Sequence, residues 1–435
     1  MSLPQAVNQI TDALQVPDWL ADIRRQAAQG LADVGLPGRK DENWKYTPAA
    51  EALRRSTSMD THPQDDNDEL ELPELLELDQ AWSLVLVDGQ LDPDLTDLDD
   101  LPEGVQLLSL AEAIGQGCDW LAERWWQPEA CADQGFSLLN SVWAGQGLVL
   151  RVSADTQLQR PIRLLTIDSG STRGQLLSLR NLIWLEQGAS ATLIEEHRAS
   201  DDASSFANVL TQLHLEQGAR LDHTRISRLA DASRQVNRCH AWLGTDAHLY
   251  HRAFDLGGAL LRNDLSVELQ QSGASLVMDG LYLLDGKQHV DNHTRVDHCV
   301  GETHSEQIYR GIIGGRGHGV FNGKAVVHKG ADGTEAHQNN ANLLLSRGGE
   351  IDTKPELEIY AEDVQCSHGA TVGQLDATAL FYLRSRGLAQ DQARRLLMEA
   401  FAWTLIERLP EGPLRDHLQQ EVAGVLHSLT GDQVS

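Results

Sequence analysis

The chain has 435 residues, too many for one ordinary compact domain, although a solenoid escapes that limit because each layer touches only its neighbours. Its 35 Lys and Arg against 64 Asp and Glu leave a formal net charge of -29, which repels phosphate backbones and anionic lipid over about a Debye length. Neither nucleic acid nor membrane is an expected partner, and because the opening MSLPQAVNQITDALQVPDWL has no basic stretch leading into an apolar one, the cytoplasm is the expected compartment.

Ile10, Leu14, Leu20, Ile23, Ala27 and Leu31 recur at near-helical intervals, broken at Pro17, which predicts two helices ending near Gly35. Residues 1–55 therefore read as a helical N-terminal region. Within it GRKDENWKYTP, at 38–48, mixes charges with aromatics and closes on proline, the composition of an ordered surface loop. Residues 56–135 read as an acidic arm. No Lys or Arg occurs between Ser56 and Glu123, and DDNDELELPELLELD concentrates carboxylates that repel one another into an extended, solvated segment. Inside the arm AWSLVLVDG predicts a strand, while LLSLAEAIG and WLAERWW predict short helices.

The deciding pattern lies within 136–375, where one phrase returns as LEQGASATL, LEQGARLDH, LGTDAHLYH and QQSGASLVM. Its alanines, Ala189, Ala219, Ala247 and Ala274, advance by 30, 28 and 27 residues. Each period holds strand-like runs separated by a glycine-containing corner, with no amphipathic segment of helix length between them. Repeated strands with tight corners predict a mainly β chain built on a parallel β-helix, whose rungs stack like side chains on one face. A β-sandwich also shows regular short strands, but the near-constant long period favours the solenoid. From Asp376 the period changes to that of amphipathic helices carrying Leu380, Phe381, Leu396, Phe401 and Leu405, broken at Pro410 and Pro413. Residues 376–435 are thus expected to form a helical domain that caps the open end of the stack, where a row of unpaired backbone groups needs cover.

Several motifs bear on chemistry. GIIGGRGHGVFNGKAVVHKG is rich in glycine, but only three residues separate Gly319 from Gly323 and Lys324, and Ala325 stands where a phosphate loop needs Ser or Thr. It reads as solenoid corners, and any nucleotide site belongs to a partner. His289, His293, His298, His304, His318, His328, His337 and His368 crowd one stretch. That raises the alternative of a stand-alone His-rich, metal-dependent β-solenoid or cupin-like enzyme, although their polar neighbours and scattered rungs explain them without metal. A carbohydrate-active β-helix would call for a secretion signal and converging carboxylates. The cysteines Cys118, Cys131, Cys239, Cys299 and Cys366 are odd in number and widely spaced, which fits neither a disulfide framework nor a zinc knuckle. In EDVQCSHGATVGQLD, however, Cys366 and His368 are two apart on an expected strand and so share a face. A thiolate beside an imidazole is half of a metal or iron–sulfur site, and its other half would come from distant rungs or another chain.

GRKDENWKYTP, THSEQIYRGI, GKAVVHKGADGTEAHQNN, IDTKPELEIYAEDVQCSHGATVGQLD and FYLRSRG occur in this order and together resemble the SufD family of the SUF system for iron–sulfur cluster assembly. The likeness runs from 38 to 387 and omits the acidic stretch. It implies a right-handed parallel β-helix with helical ends, acting as a non-catalytic scaffold. The implied partners are a SufB-type paralogue, in a heterodimer, and a SufC-type ABC ATPase docked on the C-terminal helical region; a homodimer of the isolated chain is a further expectation. The nascent cluster would form transiently at the junction with the SufB-type chain, with His368 as a candidate metal ligand shared with that partner and Cys366 beside it, and no cofactor tightly bound to the isolated chain. For the ATPase, the basic and aromatic group Phe381, Tyr382, Arg384 and Arg386, with the helix from Ala393 to Arg408, is the expected docking surface.

Overall fold

The computed structural model describes residues 16–56, 81–171 and 176–431. The helix expected before Pro17 and the carboxylate-rich DDNDELELPELLELD lie outside the described residues. Among the described residues two sheets, of ten and nine strands, run the length of a parallel solenoid, and from Leu148–Val152 onward successive strands alternate between them. From Leu148–Val152 onward each strand pairs in parallel with the strand one turn later in its own sheet, as Arg220–Arg228 does with His248–Asp255 and as Arg234–Leu243 does with Leu260–Leu269.

The repeated phrase is the corner of this coil. Ala189, Ala219, Ala247 and Ala274 are all fully buried, and the residue before each adopts a left-handed backbone: Gly188, Gly218, Asp246 and Gly273, with φ of 67°, 67°, 54° and 75°. A left-handed residue turns the chain, and a small inward residue lets the next rung stack at the strand spacing. The same corner continues as Glu302 with Thr303 and Gly333 with Thr334, and the two threonine hydroxyls lie 3.4 Å apart.

Inside the coil, alternate residues of both sheets form one apolar column that includes Leu193, Leu221, Leu249, Leu276, Leu243 and Leu269. Outside, each sheet is covered by helices. The N-terminal helices Asp18–Val34, Ala49–Ser56 and Gly135–Trp143 bury Leu31, Leu53 and Phe136 against Phe206, Val236 and Leu260 of the nine-stranded sheet. Asp18–Val34 stops at Gly35, whose φ of 72° supplies the left-handed exit.

Two segments expected in a peripheral arm belong to the coil. Trp82–Val87 pairs in parallel with Ile162–Asp168 and starts the ten-stranded sheet. LLSLAEAIG is half strand and half helix: Val105–Ser109 pairs antiparallel with Leu148–Val152, and Leu110–Gly115 follows as a helix. Ser109 makes the switch through a capping box, its hydroxyl accepting from the Glu112 amide while the Glu112 carboxylate accepts from the Ser109 amide.

The C-terminal helices Gln390–Ile406 and Pro413–Gly431 lie along the side of the solenoid, where Met398, Leu405, Leu418 and Leu426 pack on the outward Phe254, Leu281, Leu283 and Ile312 of the ten-stranded sheet. They therefore seal a face and leave the last rung to end the stack. An outward apolar stripe offers an amphipathic helix far more area than a row of backbone groups does. Arg198 joins Glu196 to Glu421, and Arg408 bonds Asp279 at 2.8 Å and also reaches Glu306. These ion pairs fix the helices in place.

The GRKDENWKYTP segment is anchored from below. Trp44 is buried, stacks on Phe136 with ring centroids 5.2 Å apart and lies 4.4 Å from the Arg262 guanidinium. Arg262 in turn donates to the Asn43 carbonyl and pairs with Asp264 and Asp291. Burial alone would raise the Asp291 carboxyl, but Arg262 and His293 hold it far below the usual carboxylate range.

Candidate functional site at the end of the solenoid

The last rung consists of Glu350–Ile359 and Val364–Gly373, each the terminal strand of its sheet. Their turn is held by Asp332, whose carboxylate accepts from the Glu362 and Asp363 amides. Among the described residues no strand pairs with the outer edge of either, so each presents a row of backbone donors and acceptors. The two edges differ chemically. Glu350–Ile359, EIDTKPELEI, is interrupted by Pro355 and crowded with charge, which blunts further pairing. Val364–Gly373, VQCSHGATVG, has neither proline nor a permanently charged side chain.

Cys366 and His368 lie on that second strand. Cys366 is in register with Ala336, and His368 with Gln338. Both partners are buried and face inward, so thiol and imidazole share one side, pointing into the mouth of the coil. His368 is exposed and Cys366 half-buried. Burial pushes the Cys366 thiol up, against a backbone hydrogen bond from Ala336 that lowers it. On the outward side, Ser367 bonds the ring of His337 at 2.8 Å. Around the mouth Ile359, Tyr360 and Val372 are left exposed.

Phe381, Tyr382 and Arg384 sit on the helix Ala377–Ser385, with Arg386 at its C-cap; this helix buries no side chain, and Asp376 caps its start by accepting from the Thr378 and Ala379 amides. Phe381 is 72% and Tyr382 55% exposed, and the Arg386 guanidinium lies over the Tyr382 ring at 5.2 Å. Arg408, included with this surface on sequence grounds, is instead committed to Asp279 and Glu306 of the solenoid.

Most of the crowded histidines are engaged with protein groups. His318 bonds Asp352 at 2.8 Å, His328 bonds Asp297 at 2.9 Å, His293 meets Asp291 at 3.1 Å, and His298 is held between Thr303 and Ser305. The glycine-rich stretch runs from the end of the strand His304–Ile313 through a tight turn into the strand His318–Val327, both part of the coil. Sequence reasoning missed a groove of about 870 Å³ on the outer face of the nine-stranded sheet, lined by Trp126, Arg238, His240, Arg295, Cys299 and Lys324. Its residues come from successive rungs, and only the register of the coil assembles them.

Comparison with known proteins accounts for both halves of the chain. Residues 167–401 match the SUF system FeS cluster assembly, SufBD core domain, and residues 5–164 match the SufBD protein N-terminal region. The chain belongs to the SufBD family. It is 32% identical to the iron–sulfur cluster assembly protein SufD of Escherichia coli, over 94% of this chain and 92% of that one. Similar relatives are iron–sulfur cluster assembly SufBD family proteins of Synechocystis, 30% identical over 93% of this chain and 90% of the relative, and of Mycobacterium leprae, 28% identical over 91% of each. No helix among the described residues is long and apolar enough to cross a membrane.

Proposed function

We propose that this SufBD-family chain is the non-catalytic scaffold subunit of a SufB–SufC–SufD-type complex, in which a SufB-type paralogue docks on the last rung and the nascent iron–sulfur cluster forms at that junction. The observation that carries the reading is the uncharged, proline-free edge of Val364–Gly373, which places Cys366 and His368 at an unpaired end of a parallel sheet. Such an edge accepts a strand of another chain by backbone hydrogen bonding, and the joined mouths bring ligands from both chains together. His368 is the metal ligand shared with the partner, and Cys366 supports it or serves as a second ligand. The cluster is cargo held transiently, and the isolated chain binds no cofactor tightly for this work.

The helix Ala377–Ser385 supports docking of a SufC-type ABC ATPase, since exposed aromatics beside arginines are the composition of binding hot spots. ATP hydrolysis then belongs to that partner, and the complex works in the cytoplasm. Without the paralogue, the same edge favours a homodimer. Co-expression with SufB-type and SufC-type chains tests the reading: a stable assembly containing all three, with iron and sulfide recovered after reconstitution, is expected. Failure of this chain to co-purify with either partner would overturn it.

A further inference from the structure

The imidazoles of the crowded stretch are not the ones placed to share a metal ion. His223 and His251 occupy adjacent rungs in register, 28 residues apart, and face inward beside Cys239 of the opposite sheet. One ligand atom from each of the three lies within 4.8 Å of the others. They border an internal cavity of about 20 Å³, room for a single water-sized guest. The Nδ1 atoms of the two histidines are 3.2 Å apart. Two nitrogens bound to one tetrahedral ion at about 2.0–2.1 Å would be separated by roughly 3.3 Å, so the imidazole pair already has the required bite.

A second set of contacts orients the first. The other ring nitrogen of His223, Nε2, lies 3.1 Å from the Glu195 carboxylate, so its proton is donated there and Nδ1 keeps its lone pair for the cavity. Glu195 is fixed in turn by His197 at 3.1 Å, itself 2.6 Å from the Thr166 hydroxyl, and by the Asn181 amide at 3.3 Å. A carboxylate behind a histidine is the usual support of a metal-bound imidazole. Burial would raise the Glu195 carboxyl, but His197 and His223 hold it well below the usual range, while burial pushes the Cys239 thiol up and keeps His251 neutral. The nearby Arg225 is matched by Asp255 at 2.9 Å.

We infer that His223, His251 and Cys239 form a buried site inside the solenoid for one divalent transition-metal ion of borderline softness, zinc or ferrous iron, with Glu195 as its outer-sphere carboxylate. On binding, Cys239 loses its proton to solvent as the metal–sulfur bond forms, and the thiolate with the Glu195 carboxylate neutralises the two positive charges of the ion. No oxidant or reductant takes part. The inward column of the ten-stranded sheet runs from His251 through Met278, Gln307 and Gln338 to His368. At about 4.8 Å per strand this separates the site from the mouth by roughly 19 Å, so it does not share an ion with Cys366 and His368.

The test uses the full chain, refolded without oxygen in the presence of zinc, ferrous iron or cobalt(II) and then dialysed. About one equivalent of metal per chain should remain by elemental analysis, and the cobalt form should show thiolate-to-metal charge transfer with the visible bands of a four-coordinate ion. Cys239→Ser and His251→Gln should lose the bound metal, Glu195→Gln should weaken binding roughly 10–100-fold, and the Cys366→Ser, His368→Ala double variant should keep it. Wild-type protein that retains no metal under any of these conditions would overturn the inference. So would a cobalt spectrum without a thiolate band, which is read on the wild type and does not depend on a variant folding, or retention of the ion by folded Cys239→Ser.

Discussion

Replacing His368 with Ala separates a role in assembly from a role in the fold. His368 is exposed on an edge strand, and its register neighbour Gln338 keeps the inward column intact beneath it. The substitution opens no cavity and leaves no buried partner unpaired, so it belongs with surface changes, worth within about 0.5 kcal/mol. For a chain of this size that is a Tm shift of less than about 2 °C. Binding to the SufB-type partner should fall by no more than a few-fold, because the edge amides and carbonyls that pair the strands are untouched. Cluster formation should fall much further, since alanine can neither ligate iron nor move a proton. The assay is purification of the mutant complex, with subunit stoichiometry by mass and iron and sulfide content after reconstitution. Normal iron and sulfide in an intact complex would refute a ligand role for His368. Loss of the complex along with the cluster would refute the claim that the residue is external to the fold.

Further outcomes follow from buried charge and exposed aromatics. Arg262→Met removes the guanidinium that pairs with the buried Asp291 and leaves that carboxylate to Thr47 and His293; it should cost up to about 3–5 kcal/mol by urea unfolding, and Asp291→Asn in the same chain should recover part of that. Burial would raise the Glu421 carboxyl, but hydrogen bonds from His417 and Arg198 bring it down to about 2. Its folded value lies below the unfolded value of about 4.3, so the stability it supplies, on the order of 3 kcal/mol, is complete above that value and is lost as pH falls towards 2. Glu421→Gln should therefore differ from wild type in thermal unfolding at neutral pH and converge with it near pH 2. Phe381→Ser with Tyr382→Ser should leave unfolding unchanged, because both rings are exposed, while weakening the ATPase partner more than about 10-fold by calorimetry; unchanged affinity would place that docking elsewhere.

The period of the corner phrase was enough to determine the solenoid, because each coil must turn through a left-handed residue and then accept a small inward side chain. Where the small residue changed to Thr303 and Thr334 the phrase became unreadable, although the geometry continued. Alternation likewise put Cys366 and His368 on one face of a strand, a property of neighbours in sequence. Other features needed the register of one rung on the next. Trp82–Val87 looked peripheral until its pairing with Ile162–Asp168 made it part of the first coil. The C-terminal helices could be recognised from their amphipathicity, but the outward stripe of Phe254, Leu281 and Ile312 decided that they cover a side and leave the end of the stack open. His223, Cys239 and His251 are an unremarkable scatter along the chain. They meet because one coil consumes about the same number of residues each time, so distant side chains fall into columns that only the closed solenoid creates.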